Sequence, residues 1–314
     1  MTWKWLHIVP PDTRFDFIGK RRWSLGLSVA LTLISIVSLA VQGLNFGIDF
    51  KGGILIEVKM EPAPNMADLR AKLSALNLGE VSLQEFGAPN DILIRVQAND
   101  QTEKEQNRII GAVKNALGEG VDFRRTEFVG PKVGAELVEA GILAILFSLV
   151  GISIYVWFRF EWQFGLGAMI STIHDIITTV GLFSVFQLEF NLTTVAAVLT
   201  VAGYSVNDTV VIYDRIRENM RKYKKQPITE LINRSNNETL SRSVVTHLTT
   251  LLAVLALLIF GGEVIRGFSI AMVWGVFVGA YSSVFVAVPI LVYFNLRPDQ
   301  PPPGSEPAAA REAA

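Results

Sequence analysis

Four ionisable side chains stand inside runs of sequence that are otherwise apolar. His174 and Asp175 share one run, Asp208 follows Asn207 near the end of the next, and Arg242 opens a third. A carboxylate at bilayer depth costs roughly 2.5–3.5 kcal/mol on insertion scales, so such groups usually face a bundle interior and mark a pathway. Two chemistries suit the set. In one, Asp208 and Arg242 neutralise each other while Ser205, Asn207 and Thr209 hydrogen-bond between helices. In the other, Asp208, together with Asp175 and His174, takes up and releases a proton as the protein changes conformation. Four such groups left unpaired would cost on the order of 10 kcal/mol. One charge moved across 100 mV is worth about 2.3 kcal/mol, enough to shift a balanced two-state equilibrium. An intramembrane enzyme with His174 and Asp175 as a metal diad is a third option. Against it, no H-E-x-x-H occurs and the remaining histidines are His7 and His247. The chain has no cysteine, which excludes disulfides, thiolate metal sites and cysteine nucleophiles.

Whether these groups meet depends on the elements that carry them. Half of the 314 residues are hydrophobic and 18% are charged, which argues for membrane spans. A net charge of −1 gives no reason to expect a nucleic-acid partner. Apolar runs at 23–44, 137–158, 164–186, 192–213, 244–260 and 268–293 predict six transmembrane helices. The first follows a mixed segment, 1–22; it is too long for a signal peptide and lacks a clear cleavage site, so an uncleaved helix is expected. Residues 45–131 alternate between strand and helix patterns. Strands are expected at 54–60, 81–86, 91–97 and 121–129, helices at 65–76 and 103–117, and a turn at 87–90. That βαββαβ order predicts a small ferredoxin-like α+β domain. The remainder divides into a five-helix bundle, 132–296, with a loop at 214–241, and a Pro- and Ala-rich tail, 297–314, that reads as disordered.

Charge sets the orientation. Arg215, Arg217, Arg221, Lys222, Lys224, Lys225 and Arg234 fall between the fourth and fifth spans, on the same side as Arg14 to Arg22. The opposite short links hold Arg266 as their basic residue. Both termini are therefore expected in the cytoplasm and the α+β domain outside. At 1.5 Å per residue, His174 and Asp175 lie roughly 15–17 Å into the third span, and Asp208 lies roughly 25 Å from the outer surface. Arg242 shares that inner depth, so Asp208 and Arg242 are expected to pair if their helices touch. His174 points about 100° away from Asp175 around the helix, which predicts that those two do not pair and leaves Asp175 alone at mid-depth.

Several stretches together carry a resemblance. They are Leu-Asn-Phe-Gly-Ile-Asp-Phe-Lys-Gly-Gly (44–53), the His174–Asp175 pair, Gly-Tyr-Ser-Val-Asn-Asp-Thr-Val-Val (203–211) and Ser-Arg-Ser-Val-Val-Thr (241–246). In motif order, topology and length the chain resembles the SecF family, the smaller membrane subunits of the bacterial SecD–SecF translocation motor, related to the RND transporters. The resemblance implies a non-enzymatic protein-export subunit of the bacterial inner membrane, with SecD, the SecYEG channel, SecA and YajC as partners. It implies a translocating preprotein as cargo and no cofactor, the proton-motive force supplying energy after the ATP-driven step. It also implies that Asp208 matches the family's proton-coupling aspartate, Arg242 its intramembrane arginine, and His174–Asp175 a recurring pair. A small-molecule exporter of RND type remains the alternative, as one half needing a partner half.

Other motifs carry less. Gly-Val-Phe-Val-Gly (275–279) is a G-x-x-x-G that suits either SecD docking or ordinary close packing. Gly52 and Gly53 suggest a tight turn beside Asp49 and Lys51. The basic run at 215–225 reads as a solvated loop with anionic lipid as its possible contact. Trp23, Tyr155, Trp157 and Trp162 near span ends fit interfacial anchoring.

Overall fold

The computed structural model describes residues 10, 13–79, 81–96, 103–118, 120–294 and 296. The expected disordered tail, 297–314, and His7 lie outside them. Six helices are long and apolar enough to cross a membrane. They are α1 (Arg21–Val41), α5 (Pro131–Arg159), α6 (Trp162–Val185), α7 (Leu192–Lys222), α8 (Ile228–Phe260) and α9 (Arg266–Ser282), the last continuing through a π turn (Ser283–Ala287) toward Tyr293. Burial sorts them. The candidate spans containing α6, α7 and α9 are largely buried inside the protein, whereas α5 and α8 expose most of their apolar surface. Helix α1 packs through one face: Ser24, Ser28, Ser35 and Ser38, at spacings that fall on a single helical stripe, are all buried. Ser38 meets Ser184 of α6 at 2.8 Å, Ser28 donates to the Tyr281 hydroxyl at 3.2 Å, and Gly181 leaves room for Ser35. Small polar residues let the backbones approach closely where no aqueous hydrophobic force drives them together.

The α+β domain contains β2 (Gly53–Lys59), α3 (Met66–Ser74), β3 (Val81–Phe86), β4 (Ala88–Val96), α4 (Glu103–Leu117) and β5 (Asp122–Val129). It forms one antiparallel sheet in the order β3-β4-β2-β5, the ferredoxin-like arrangement expected from the βαββαβ pattern. Ile56 pairs with Ile94 on one side and Thr126 on the other. Ile54, Ile56, Val58, Ile92, Ile94 and Val96 alternate onto one face, where Leu69 and Leu73 of α3 and Ile109 and Val113 of α4 cover them. Asn65 caps α3, its side chain accepting the Ala67 N–H at 2.9 Å. The turn expected at 87–90 is tighter than that. Phe86 already pairs with Ala88, so Gly87, with φ +85°, turns the chain and residues 88–90 belong to the strand.

A second difference lies at 214–241. No loop of that length forms: α7 runs on to Lys222 and α8 starts at Ile228. The charged segments still carry an apolar stripe, and Ile212 and Ile216 pack with Leu231 and Ile232 in one buried cluster. The polar faces close over it, with Asn219 donating to Ser235 at 2.9 Å and Arg215 to Glu238 at 2.6 Å.

The stem of the α+β domain is fastened to the α6–α7 turn. The two-residue strands β1 (Asn45–Phe46) and β6 (Glu189–Phe190) pair in parallel. Between β1 and β2 the chain makes a short helical turn, α2 (Ile48–Lys51), and Asp49 accepts the Leu192 N–H at 2.8 Å, supplying a negative charge at the start of α7. Gly52 and Gly53 then take positive φ, as the tight turn requires. Arg95 of β4 forms an ion pair with Glu189. Burial pushes the Glu189 carboxyl above its usual range; the Arg95 guanidinium pulls it down and the Asp49 carboxylate adds to the rise.

Candidate functional site: two buried carboxylates on a shared helix

Helix α7 connects two polar centres inside the bundle. It enters through Asn191, whose side chain accepts the Thr194 N–H at 3.0 Å, and stays helical through the polar stretch 203–209, where Tyr204, Ser205, Asp208 and Thr209 meet partners on neighbouring elements.

The first centre is Asp175 of α6, which is fully buried. Its Oδ2 accepts hydroxyl hydrogen bonds from Ser205 of α7 at 2.5 Å and from Ser282 of α9 at 2.6 Å. Its Oδ1 stands 2.9 Å from His174 Nδ1. Asp175 thus ties three helices together and is not alone at mid-depth. The expectation that His174 and Asp175 would not pair is also corrected. Both side chains are enclosed, and two planar heads on adjacent residues reach each other despite the angle between their Cβ directions. Next to this centre, Thr209 meets Ser283 at 2.9 Å, where the π turn begins. Such turns often mark functional sites.

The second centre is Asp208, which lies one turn beyond Ser205 and faces α8. Its Oδ1 accepts the Ser243 hydroxyl at 2.6 Å, and its Oδ2 lies 3.5 Å from His247 Nε2. The other ring nitrogen of His247 stands 3.1 Å from the Tyr204 hydroxyl. All three of Asp208, Ser243 and His247 are buried. Asp208 Oδ2 and His247 Nε2 have no hydrogen-bond partner among the described residues, although they approach each other.

The expected Asp208–Arg242 pair is not formed. Arg242 is exposed, and no ion pair joins it to an acid among the described residues. Helical phase explains this. Ser243 and His247 are four residues apart and share the face toward α7, while Arg242 lies about 100° off that face. Asn207 is likewise exposed, about 100° around α7 from Asp208. Of the sequence-predicted residues, the structure therefore brings together His174 with Asp175, holds Asp208 one turn along α7 from the Ser205 that contacts Asp175, and leaves Asn207 and Arg242 exposed. Sequence reading missed Ser243, Ser282, Tyr204 and His247 as contacts. The signal for Ser243 and His247 was their i, i+4 spacing, which Arg242 does not share. Among the described residues no three His, Asp or Glu side chains converge as a metal site would need.

The G-x-x-x-G of α9 also finds its place within the chain. Gly275 lies against Val201 and Gly279 against Ser205, so the two glycines let α9 close on α7 and bring Ser282 within reach of Asp175. They do not form an outer docking face.

Comparison with known proteins places this arrangement. The family described as Protein export membrane protein SecD/SecF, C-terminal, matches residues 109–297, and the SecD/SecF GG Motif matches residues 37–64. The chain is 50% identical to Protein translocase subunit SecF of Rickettsia rickettsii over 92% of its own length and 94% of that protein's. The chain belongs to the SecF family. It is also 49% identical to Protein translocase subunit SecF of Rickettsia prowazekii, over 93% of this chain and 94% of that one. Among solved structures it resembles SecDF of Thermus thermophilus, a translocon-associated membrane protein, with a TM-score of 0.84 and 35% identity over 92% of this chain. The match spans 40% of the SecDF chain. Membership assigns a role in protein export to a multi-pass membrane protein. The GG motif covers the stem that carries Asp49, Gly52 and Gly53, and the longer match covers both buried carboxylates.

A double-mutant cycle reads the Asp208 contacts directly. Asp208→Asn combined with Arg242→Gln should be additive in stability within about 0.3–0.5 kcal/mol, whereas Asp208→Ala with Ser243→Ala should couple by more than that. Coupling confined to the Arg242 pair would contradict the observed facing.

Proposed function

We propose that the protein works with SecD in the bacterial inner membrane, using the proton-motive force to help draw preproteins through the SecYEG channel after the ATP-driven step. SecA and YajC belong to the same assembly in this reading. Its termini and the α7–α8 hairpin face the cytoplasm, and the ferredoxin-like domain faces outward. It acts as a transport subunit and not as an enzyme, with no cofactor beyond the proton gradient.

The observation that carries this reading is a carboxylate, Asp208, buried at membrane depth with a single short hydrogen bond and a histidine beside its open oxygen. No permanent cation sits on it: Arg242 is exposed on another face of α8, and His247, 3.5 Å away, carries charge only when it is protonated. Asp208 therefore holds a position where gaining or losing a proton changes what α7 and α8 can contact. SecD fits as the partner because Arg242 and Asn207 are polar groups at membrane depth on the outer surface of this chain, and the longer SecDF chain supplies a second half.

Preprotein export into inverted membrane vesicles, with and without this subunit and with and without a protonophore, tests the reading. The subunit's contribution should vanish when the gradient is collapsed. A contribution that persists in the presence of protonophore would overturn gradient use while leaving the export role in place.

A further inference from the structure

The basic run after the fourth span does more than neutralise a loop. At the end of α5, Arg159 donates to both carboxylate oxygens of Asp214 at 2.8 Å, and its guanidinium lies 5.0 Å above the buried Phe160 ring. Arg217 of α7 lies 5.4 Å from the centre of the same ring and donates to the Arg159 carbonyl at 3.2 Å. Two guanidinium groups are thus fixed on one aromatic side chain by contacts from two helices. Arg221 follows Arg217 by one turn, and the Lys222 ammonium lies 5.1 Å over Tyr223.

These four cations, with Asp214 and Glu218, line a cleft of about 570 Å³. The acids do not balance them. Asp214 is committed to Arg159, and Glu218 accepts from Arg215 at 2.7 Å. Positive charge from Arg217, Arg221 and Lys222 is left facing the cleft. Arg217 is held beside Arg159 by the Phe160 ring and the Arg159 carbonyl, and an anion entering the cleft relieves the repulsion among the cations that line it.

The depth of the cleft identifies that anion. Trp157, Phe158 and Trp162, immediately around Arg159, are exposed at 68%, 90% and 57%. Exposed aromatic side chains at the end of a membrane span sit at headgroup level. Arg159 therefore stands where lipid phosphates are, and the α7 cations rise from that level.

We propose that the cleft between the end of α5 and α7 binds the phosphate of an anionic phospholipid, with Arg217 and Arg221 as its principal contacts. The planar guanidinium fork suits phosphate oxygens better than an ammonium does, and its preorganisation on Phe160 lowers the ordering cost of binding. The site is distinct from the buried carboxylates and stands whether or not they carry protons. It rests on the helices being membrane spans.

Native mass spectrometry of the full chain in detergent, supplied with phosphatidylglycerol or phosphatidylcholine, reads the site. Phosphatidylglycerol should be retained preferentially, and each of Arg217→Gln and Arg221→Gln should weaken its retention about fivefold. The variant Arg70→Gln removes the same charge from the α+β domain and should leave retention unchanged. Arg217→Lys should recover only part of it. Equal retention of the two lipids, or loss equal to that of the Arg70→Gln control, would overturn the proposal. Complete displacement of phosphatidylglycerol by millimolar inorganic phosphate would also overturn it, because the site would then serve a soluble phosphate.

Discussion

Asp208→Asn should abolish the gradient-dependent part of preprotein export while leaving the protein folded and inserted. The amide keeps an oxygen for the Ser243 hydroxyl, whose bond to Asp208 is 2.6 Å in the native chain. Interhelical hydrogen bonds in membranes average about 0.6 kcal/mol, so exchanging one acceptor for another changes stability little. What the variant loses is titration. One proton falling through 100 mV supplies about 2.3 kcal/mol, or roughly a 50-fold bias on a two-state equilibrium. Without a group to carry that proton the bias disappears. The measurement is export in energised inverted vesicles containing either form, beside a melting curve that establishes equal folding. Normal gradient-stimulated export by Asp208→Asn would end the coupling role for this residue.

Asp175→Ala should act in the opposite way, through stability. Its carboxylate accepts from Ser205 and Ser282 and faces His174, joining α6, α7 and α9 at one buried point. Three such contacts at about 0.6–1.7 kcal/mol each amount to roughly 2–5 kcal/mol, before any cost of leaving the hydroxyls unpaired in a dry interior. A denaturation titration of the purified protein should show that loss. Asp175→Asn, which keeps an acceptor oxygen, should fall between the two. A melting profile for Asp175→Ala indistinguishable from the native one would mean that the three helices are held by packing alone.

The contrast between these carboxylates follows from information of two kinds. Span number, strand order and the ferredoxin-like pattern were legible because apolar periodicity is a local property: twenty uncharged residues, or an alternation over six, announce their element without reference to anything else. Rotation about a helix axis is not local. Asp208 and Arg242 share a depth, and depth can be counted along the chain, but facing depends on how α8 is turned against α7. That turn is set by Ser243 and His247, buried four residues apart, and by Tyr204 reaching His247. The same holds for Asp175. Its serine donors lie 30 and 107 residues away, and nothing in the neighbourhood of either serine announces the meeting. The Ser24–Ser38 stripe of α1 was visible as a spacing, yet serines in an apolar run are unremarkable until a partner helix with Gly181 is placed beside them.

The fastening at the foot of the α+β domain has a kinematic meaning. A body held at one point tumbles, and one held at two points still swings about the line between them. This domain's stem is held to the head of α7 and the turn before it by the β1–β6 pairing, by Asp49 on the Leu192 N–H and by Arg95 on Glu189. Three separate attachments oppose that swing more than one would. A displacement of the α+β domain is therefore felt first at the start of α7, the helix that carries Asp208.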